Sequence, residues 1–151
     1  MAEEDSIVRL LSETGHTLAV AESLTGGTLS SCFAKRPRAS EWFRGAVVAY
    51  SSEVKHEVLG VRPGPVVSRE AAIDMACGVS QLLGSSIAVA VTGVGGPEAQ
   101  DGVAPGTVWV ALSGSRGPAT TCLHLSGSPE EIIEQTCRQT LKLLEDHLKA
   151  A

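Results

Sequence analysis

Two stretches of this chain, Leu18-Ala19-Val20 and Ile87-Ala88-Val89-Ala90-Val91, are apolar at every position rather than at every other one. A strand with one wet face alternates apolar and polar residues, so an unbroken run of β-branched and small apolar residues demands cover on both faces. Gly45-Ala46-Val47-Val48-Ala49-Tyr50 reads the same way. Between these runs lie segments with apolar residues three and four apart, above all Ala72, Met75, Ala76, Val79 and Leu82 or Leu83, the spacing of a helix with one buried face. Strands covered on both sides and interleaved with helices define an α/β protein with a layered sheet.

The remaining elements follow from stops and starts. Ile7, Val8, Leu10 and Leu11 crowd one side of a first helix that Gly15 can close in a left-handed cap. A strand over about 17–21 comes next, then a helix carrying Leu29, Cys32 and Phe33 that must end before Pro37. A short helix over about 52–59 ends at Gly60, and Ser68 precedes the helix with the clear stripe. Residues 98–105 are polar and turn-rich, a loop. Strands over about 107–112 and 119–125, joined through Gly114 and Gly117, form a hairpin. A last helix starts at Pro129 and carries Ile133, Cys137, Leu141, Leu144 and Leu148. The whole is expected to be one domain over residues 1–151, three-layer α/β/α, with a mixed, mostly parallel sheet flanked by helices.

Charge narrows the function classes. A net charge of −5 argues against general nucleic-acid binding, which displaces counterions with a basic face. The acidic start Met1-Ala2-Glu3-Glu4-Asp5 is unlike a secretory leader, and no apolar run reaches membrane-spanning length, so the expected location is cytoplasmic, away from membranes. Cys32, Cys77, Cys122 and Cys137 form no C-x-x-C pair and read as reduced core residues. His16, His56, His124 and His147 lack ligand spacing, so no metal site is expected.

In α/β sheets ligands bind beyond the carboxyl ends of strands, and three features fall there. Ala21-Glu22-Ser23-Leu24-Thr25-Gly26-Gly27 follows the first strand. Ser23 there is either a helix N-cap or a nucleophile beside unpaired N–H groups. Tyr50 closes the second strand, and Lys55, just over one helical turn into the next helix, can turn toward the same end. Lys55 is either an exposed charge or the base for Ser23. At its reference pKa of ~10.4 only about one lysine in 2,500 is neutral at pH 7, so the base role requires burial. His56 and His124 are weaker base candidates because neither sits at a strand end with a carboxylate partner. Thr92-Gly93-Val94-Gly95-Gly96 is either a cradle of N–H groups for a phosphate or carboxamide, or a tight strand exit.

These pieces together resemble a known family. Ala21 to Gly27, Phe43 to Lys55 with Leu59-Gly60-Val61, Val67-Ser68, Met75-Ala76-Cys77-Gly78, Thr92 to Pro97, Gly106-Thr107-Val108 and Gln135-Thr136 are similar to the C-terminal domain of CinA and the stand-alone nicotinamide-nucleotide amidases. The resemblance implies an amidohydrolase that converts nicotinamide mononucleotide to its nicotinate form and ammonia, in pyridine-nucleotide recycling. It implies no metal or other cofactor, and a homo-oligomer, dimer or larger. The family's serine, tyrosine and lysine fall on Ser23, Tyr50 and Lys55. The expected substrate-binding set is Glu22, Thr25, Gly26, Gly27, Ser52, Thr92, Gly93, Gly95 and Gly96, with N–H groups around Thr25 to Gly27 holding the oxyanion. Pro129 and Ile133 stand where the family usually has arginine, and Ser52 where it has asparagine. The alternative reading is a CinA-like nucleotide-binding module without turnover.

Overall fold

The computed structural model describes residues 2–150. In chain order its elements are α1 (Ala2–Thr14), β1 (Leu18–Glu22), α2 (Thr28–Ala34), α3 (Ala39–Trp42), β2 (Phe43–Val48), α4 (Ser52–Leu59), α5 (Arg69–Leu83), β3 (Ile87–Gly93), β4 (Thr107–Ser113), β5 (Ala119–His124) and α6 (Pro129–Lys149). The five strands make one sheet in the order β2-β1-β3-β4-β5. β1 pairs in parallel with β2 and β3, and β4 pairs antiparallel with β3 and β5. Only β4 runs against the other four, so the sheet is mixed and mostly parallel, as expected.

The strands' two-residue period sorts the core into unlike faces. Leu18, Val20, Ile87, Val89, Val91, Val108 and Val110 pack against α1, α2 and α6. Ala19, Ala21, Ala88, Ala90 and Ala111 face the other way, against Ala72, Met75, Ala76 and Val79 of α5. An alanine face lets a helix lie close to the sheet, so α5 alone covers most of it. α4 packs on α5 in turn, and there is no room between them at Gly78: a Cβ there would stand 1.9 Å from the Leu59 carbonyl oxygen. Gly78→Ala must push the two helices apart, and we expect it to lower the unfolding free energy by about 2 kcal/mol, read as a drop in urea midpoint.

Several expectations need correction. The apolar run at Gly45 to Tyr50 suggested a strand covered on both faces, yet β2 is the sheet's edge, largely half-exposed, and ends at Val48. α2 starts at Thr28 with Gly27 as its N-cap, later than a helix capped by Ser23 would begin, so Gly26 and Gly27 precede it. The short α3 was not foreseen; its Trp42 closes an edge-on contact with Phe33 at 6.4 Å between ring centroids. On α6 the deepest residues include Ile132, Thr136 and Thr140, while Ile133 and Leu141 are only partly buried. Of the cysteines only Cys137 is a buried core residue and Cys77 is exposed. Burial first, then neighbouring Cys32, pushes the Cys137 thiol up to about 12. Among the described residues no helix is long and apolar enough to cross a membrane, and no cluster of three or more His, Cys, Asp or Glu could hold a metal ion.

Candidate active site

The chain runs from β1 to β2 on one side and later returns to β3 on the other side of β1. Strand order therefore reverses between β1 and β3, and a crevice opens at their carboxyl ends, where such sheets bind ligands. Ser23 leaves β1 there and Gly93 ends β3 there. A cavity of about 350 Å³ occupies this place, walled by Ser23, Leu24, Tyr50, Lys55, Val66, Val67 and the loop from Gly93 to Gln100.

Strand alternation decides what the two neighbours Glu22 and Ser23 do. Glu22 continues the Leu18 and Val20 side of β1, facing α2, and is 0% exposed. Its carboxylate takes the place of an N-cap. Oε1 accepts from Thr25 Oγ1 at 2.5 Å, Gly27 N at 3.0 Å and Leu29 N at 3.1 Å, and Oε2 accepts from Ser30 N at 2.8 Å and from the Ser30 hydroxyl. A negative group on the exposed N–H groups of a helix start is favourable on both hydrogen-bond and dipole grounds. The Glu22 carboxylate and the Thr25 hydroxyl, expected to bind substrate, are therefore spent on each other and on α2.

Ser23 is not a helix cap, because four residues separate it from the start of α2, which Gly27 caps. It is 5% exposed and lines the cavity, and among the described residues its hydroxyl has no hydrogen-bond partner. The oxyanion donors shift as well. Gly26 N bonds to the Ser23 carbonyl at 3.1 Å and Gly27 N belongs to Glu22, which leaves the N–H groups of Leu24 and Thr25, next along the chain from Ser23, without a protein acceptor. Gly26 and Gly27 bend the turn at φ of 58° and 109°, and a Cβ on Gly26 would meet nothing within 4 Å. Backbone conformation, not a close neighbour, is what requires glycine at 26.

Lys55 lies on the fourth residue of α4, whose start is capped by Ser51 accepting from Val54 N. It is 3% exposed, and its Nζ reaches only the backbone carbonyl of Tyr50, at 3.4 Å. No carboxylate pairs with it: the ion pairs of the described residues are all elsewhere. Desolvation therefore holds its ammonium below the ordinary lysine range. Tyr50 meets Lys55 through this carbonyl; its ring stands at the cavity mouth, 71% exposed.

The remaining expected residues divide. Gly93, Gly95 and Gly96 line the cavity, and the N–H groups of Gly95 and Gly96 bond to no protein acceptor. Thr92 is fully buried and donates to the Val66 carbonyl at 2.6 Å, holding the segment that forms the opposite wall. Ser52 is exposed and off the wall. Gly26 and Gly27 also lie off it. Leu24, Val66, Val67 and Pro97 to Gln100 were not among the site residues expected from sequence. Nothing local in Val66 and Val67 marks them as cavity wall, and only the folded sheet brings them to the same cavity as Ser23.

The fold is thus that of an α/β domain with a crevice at the reversal of strand order, where Ser23 beyond β1 and the buried Lys55 of α4 share one cavity wall. Residues 2–148 match the CinA C-terminal domain model, and the chain belongs to that family. A CinA-like protein of Thermotoga neapolitana is 39% identical over 97% of this chain. This chain spans 37% of that relative's length. Among solved structures, a CinA superfamily protein of Klebsiella pneumoniae superposes with a TM-score of 0.94 at 30% identity, covering 99% of this chain and 98% of that one. A CinA superfamily protein of Escherichia coli superposes at 0.90 with 28% identity, covering 95% of this chain and 87% of that one.

Proposed function

We propose that this domain is an amidohydrolase that removes ammonia from nicotinamide mononucleotide, serving pyridine-nucleotide recycling, by a serine–lysine mechanism. The observation that carries the reading is Lys55, buried without a counter-ion on the wall of the cavity that holds the unbonded Ser23 hydroxyl. An ammonium kept dry and unpaired costs stability, and a base that must be neutral to act gives that cost a use.

In this mechanism neutral Lys55 takes the proton of Ser23 as Oγ bonds to the carboxamide carbon. The Leu24 and Thr25 N–H groups receive the negative charge on the carboxamide oxygen. The carbon–nitrogen bond then breaks while protonated Lys55 returns its proton to the departing nitrogen, which leaves as ammonia. Water adds to the resulting ester with Lys55 again accepting a proton, and the bond to Ser23 Oγ breaks as Lys55 returns that proton to the serine oxygen, releasing the nicotinate product. Tyr50 borders the mouth, where its phenol can meet substrate.

Purified protein should release ammonia from nicotinamide mononucleotide, and Ser23→Ala should reduce the rate to background. Full activity in Ser23→Ala, or none in the parent protein, rejects the reading. One observation favours a second one, a nucleotide-binding module without turnover: no arginine lines the cavity to hold a phosphate. A covalent acyl adduct at Ser23, detected by mass spectrometry after rapid quenching, would exclude that module.

A further inference from the structure

The charges around the cavity are few, one buried and one exposed. Among the described residues on its wall only Lys55 and Glu98 have side chains that carry charge in the neutral range. Lys55 is buried against the Tyr50 carbonyl. Glu98 is exposed on the loop that follows β3 and takes part in no ion pair or side-chain hydrogen bond. A free carboxylate and an open aromatic ring, that of Tyr50, thus both border the mouth with no protein cation between them.

We propose that Glu98 and the Tyr50 ring form a cation-selecting mouth, so that the site prefers carboxamides borne on a positively charged aromatic ring over neutral ones. The inference rests on the amidase reading for where the carboxamide lies, and adds what surrounds the rest of the ring. A carboxamide carbon placed at Ser23 leaves the far side of a pyridine ring directed outward, and quaternising the ring nitrogen makes that side cationic. The Tyr50 face attracts such a cation through its quadrupole, and Glu98 attracts it by charge. Each contact at a solvent-exposed mouth is worth a few-fold in affinity, the carboxylate's share falling with salt. A neutral ring gains neither. The lone cation of the wall, Lys55, lies buried against the Tyr50 carbonyl, whereas Glu98 and the Tyr50 ring are exposed to an incoming ligand.

Binding separates this inference from turnover. Calorimetric titration of the Ser23→Ala protein with the N-methylated nicotinamide cation, nicotinamide and benzamide should show the cation binding about five- to tenfold tighter than the two neutral amides. In Ser23→Ala/Glu98→Gln the preference should fall to about twofold or less, with nicotinamide affinity unchanged. Raising salt from 50 to 500 mM should shrink the preference only while Glu98 is present. Equal binding of cationic and neutral amides, a preference that survives Glu98→Gln, or no binding of any of the three at millimolar concentration would each overturn the proposal. Ammonia release by the parent protein, assayed in parallel, judges the amidase reading on its own.

Discussion

Lys55→Met should stop turnover and make the protein more stable at neutral pH, two effects of opposite sign from one substitution. Loss of the buried base proposed for Ser23 is expected to reduce kcat by about a thousandfold, within the usual range for removing general acid–base catalysis. The stability gain follows from burial. Desolvation lowers the Lys55 pKa in the folded protein below its ordinary 10.5. Between the folded and unfolded values the unfolded chain holds more protons, so stability rises with pH across that window. Below the folded value the penalty for a dry ammonium is fully present. Methionine has nearly the same shape and no charge to desolvate, so the variant's melting temperature should exceed the parent's at pH 7 and the difference should narrow toward pH 10. Turnover by the parent enzyme should climb with pH and level off below 10.5, as the base loses its proton. Thermal melts at the two pH values and an ammonia assay over pH 6 to 10 test these points. A Lys55→Met protein that keeps its activity removes lysine from the mechanism.

The sheet's centre was legible because the unbroken apolar runs of β1 and β3 call for cover on both faces, and the fold buries both strands at every residue. The same signal misled at Gly45 to Tyr50, where an apolar run lies on an edge strand; hydropathy reports affinity for cover, not whether a neighbour supplies it. The start of α2 was misplaced for a different reason. Its cap comes from Glu22 on the preceding strand, outside the local window in which caps are sought. Strand parity did hold the clue, since Glu22 shares the side of Leu18 and Val20 and cannot also share the cavity with Ser23. Thr136 escaped notice as a core residue because its hydroxyl is satisfied within α6, bonding the Ile132 carbonyl at 2.7 Å. Ser23, Tyr50 and Lys55 could be placed at strand ends from sequence. The opposite wall, Val66 and Val67, could not, because it depends on Thr92 bonding the Val66 carbonyl across 26 residues.

Glu22→Gln should cost about 3 kcal/mol of stability and most of the activity, although residue 22 does not touch the cavity. The carboxylate accepts from Thr25 Oγ1, Gly27 N, Leu29 N, Ser30 N and the Ser30 hydroxyl with both oxygens. Glutamine keeps the volume but presents an amide nitrogen, itself a donor, to one half of this donor set. Either the Gly27 and Leu29 N–H groups or the Ser30 pair then loses its acceptor in a largely buried site, and each buried orphan costs about 1–3 kcal/mol. The lost charge also forgoes a favourable interaction with the start of α2. Activity falls because Glu22 ties Thr25 and Gly27, and so fixes the turn that presents Ser23 with the Leu24 and Thr25 N–H groups. Those donors must stand about 3 Å from the developing oxyanion, and a small displacement of the turn weakens both at once. Urea denaturation measures the stability loss. At a temperature where the variant is fully folded, kcat should fall by about a hundredfold while KM changes little, because the turn serves the reaction's charge rather than substrate docking. A folded Glu22→Gln protein with parental kcat would show that the Ser23 turn holds its shape without the carboxylate.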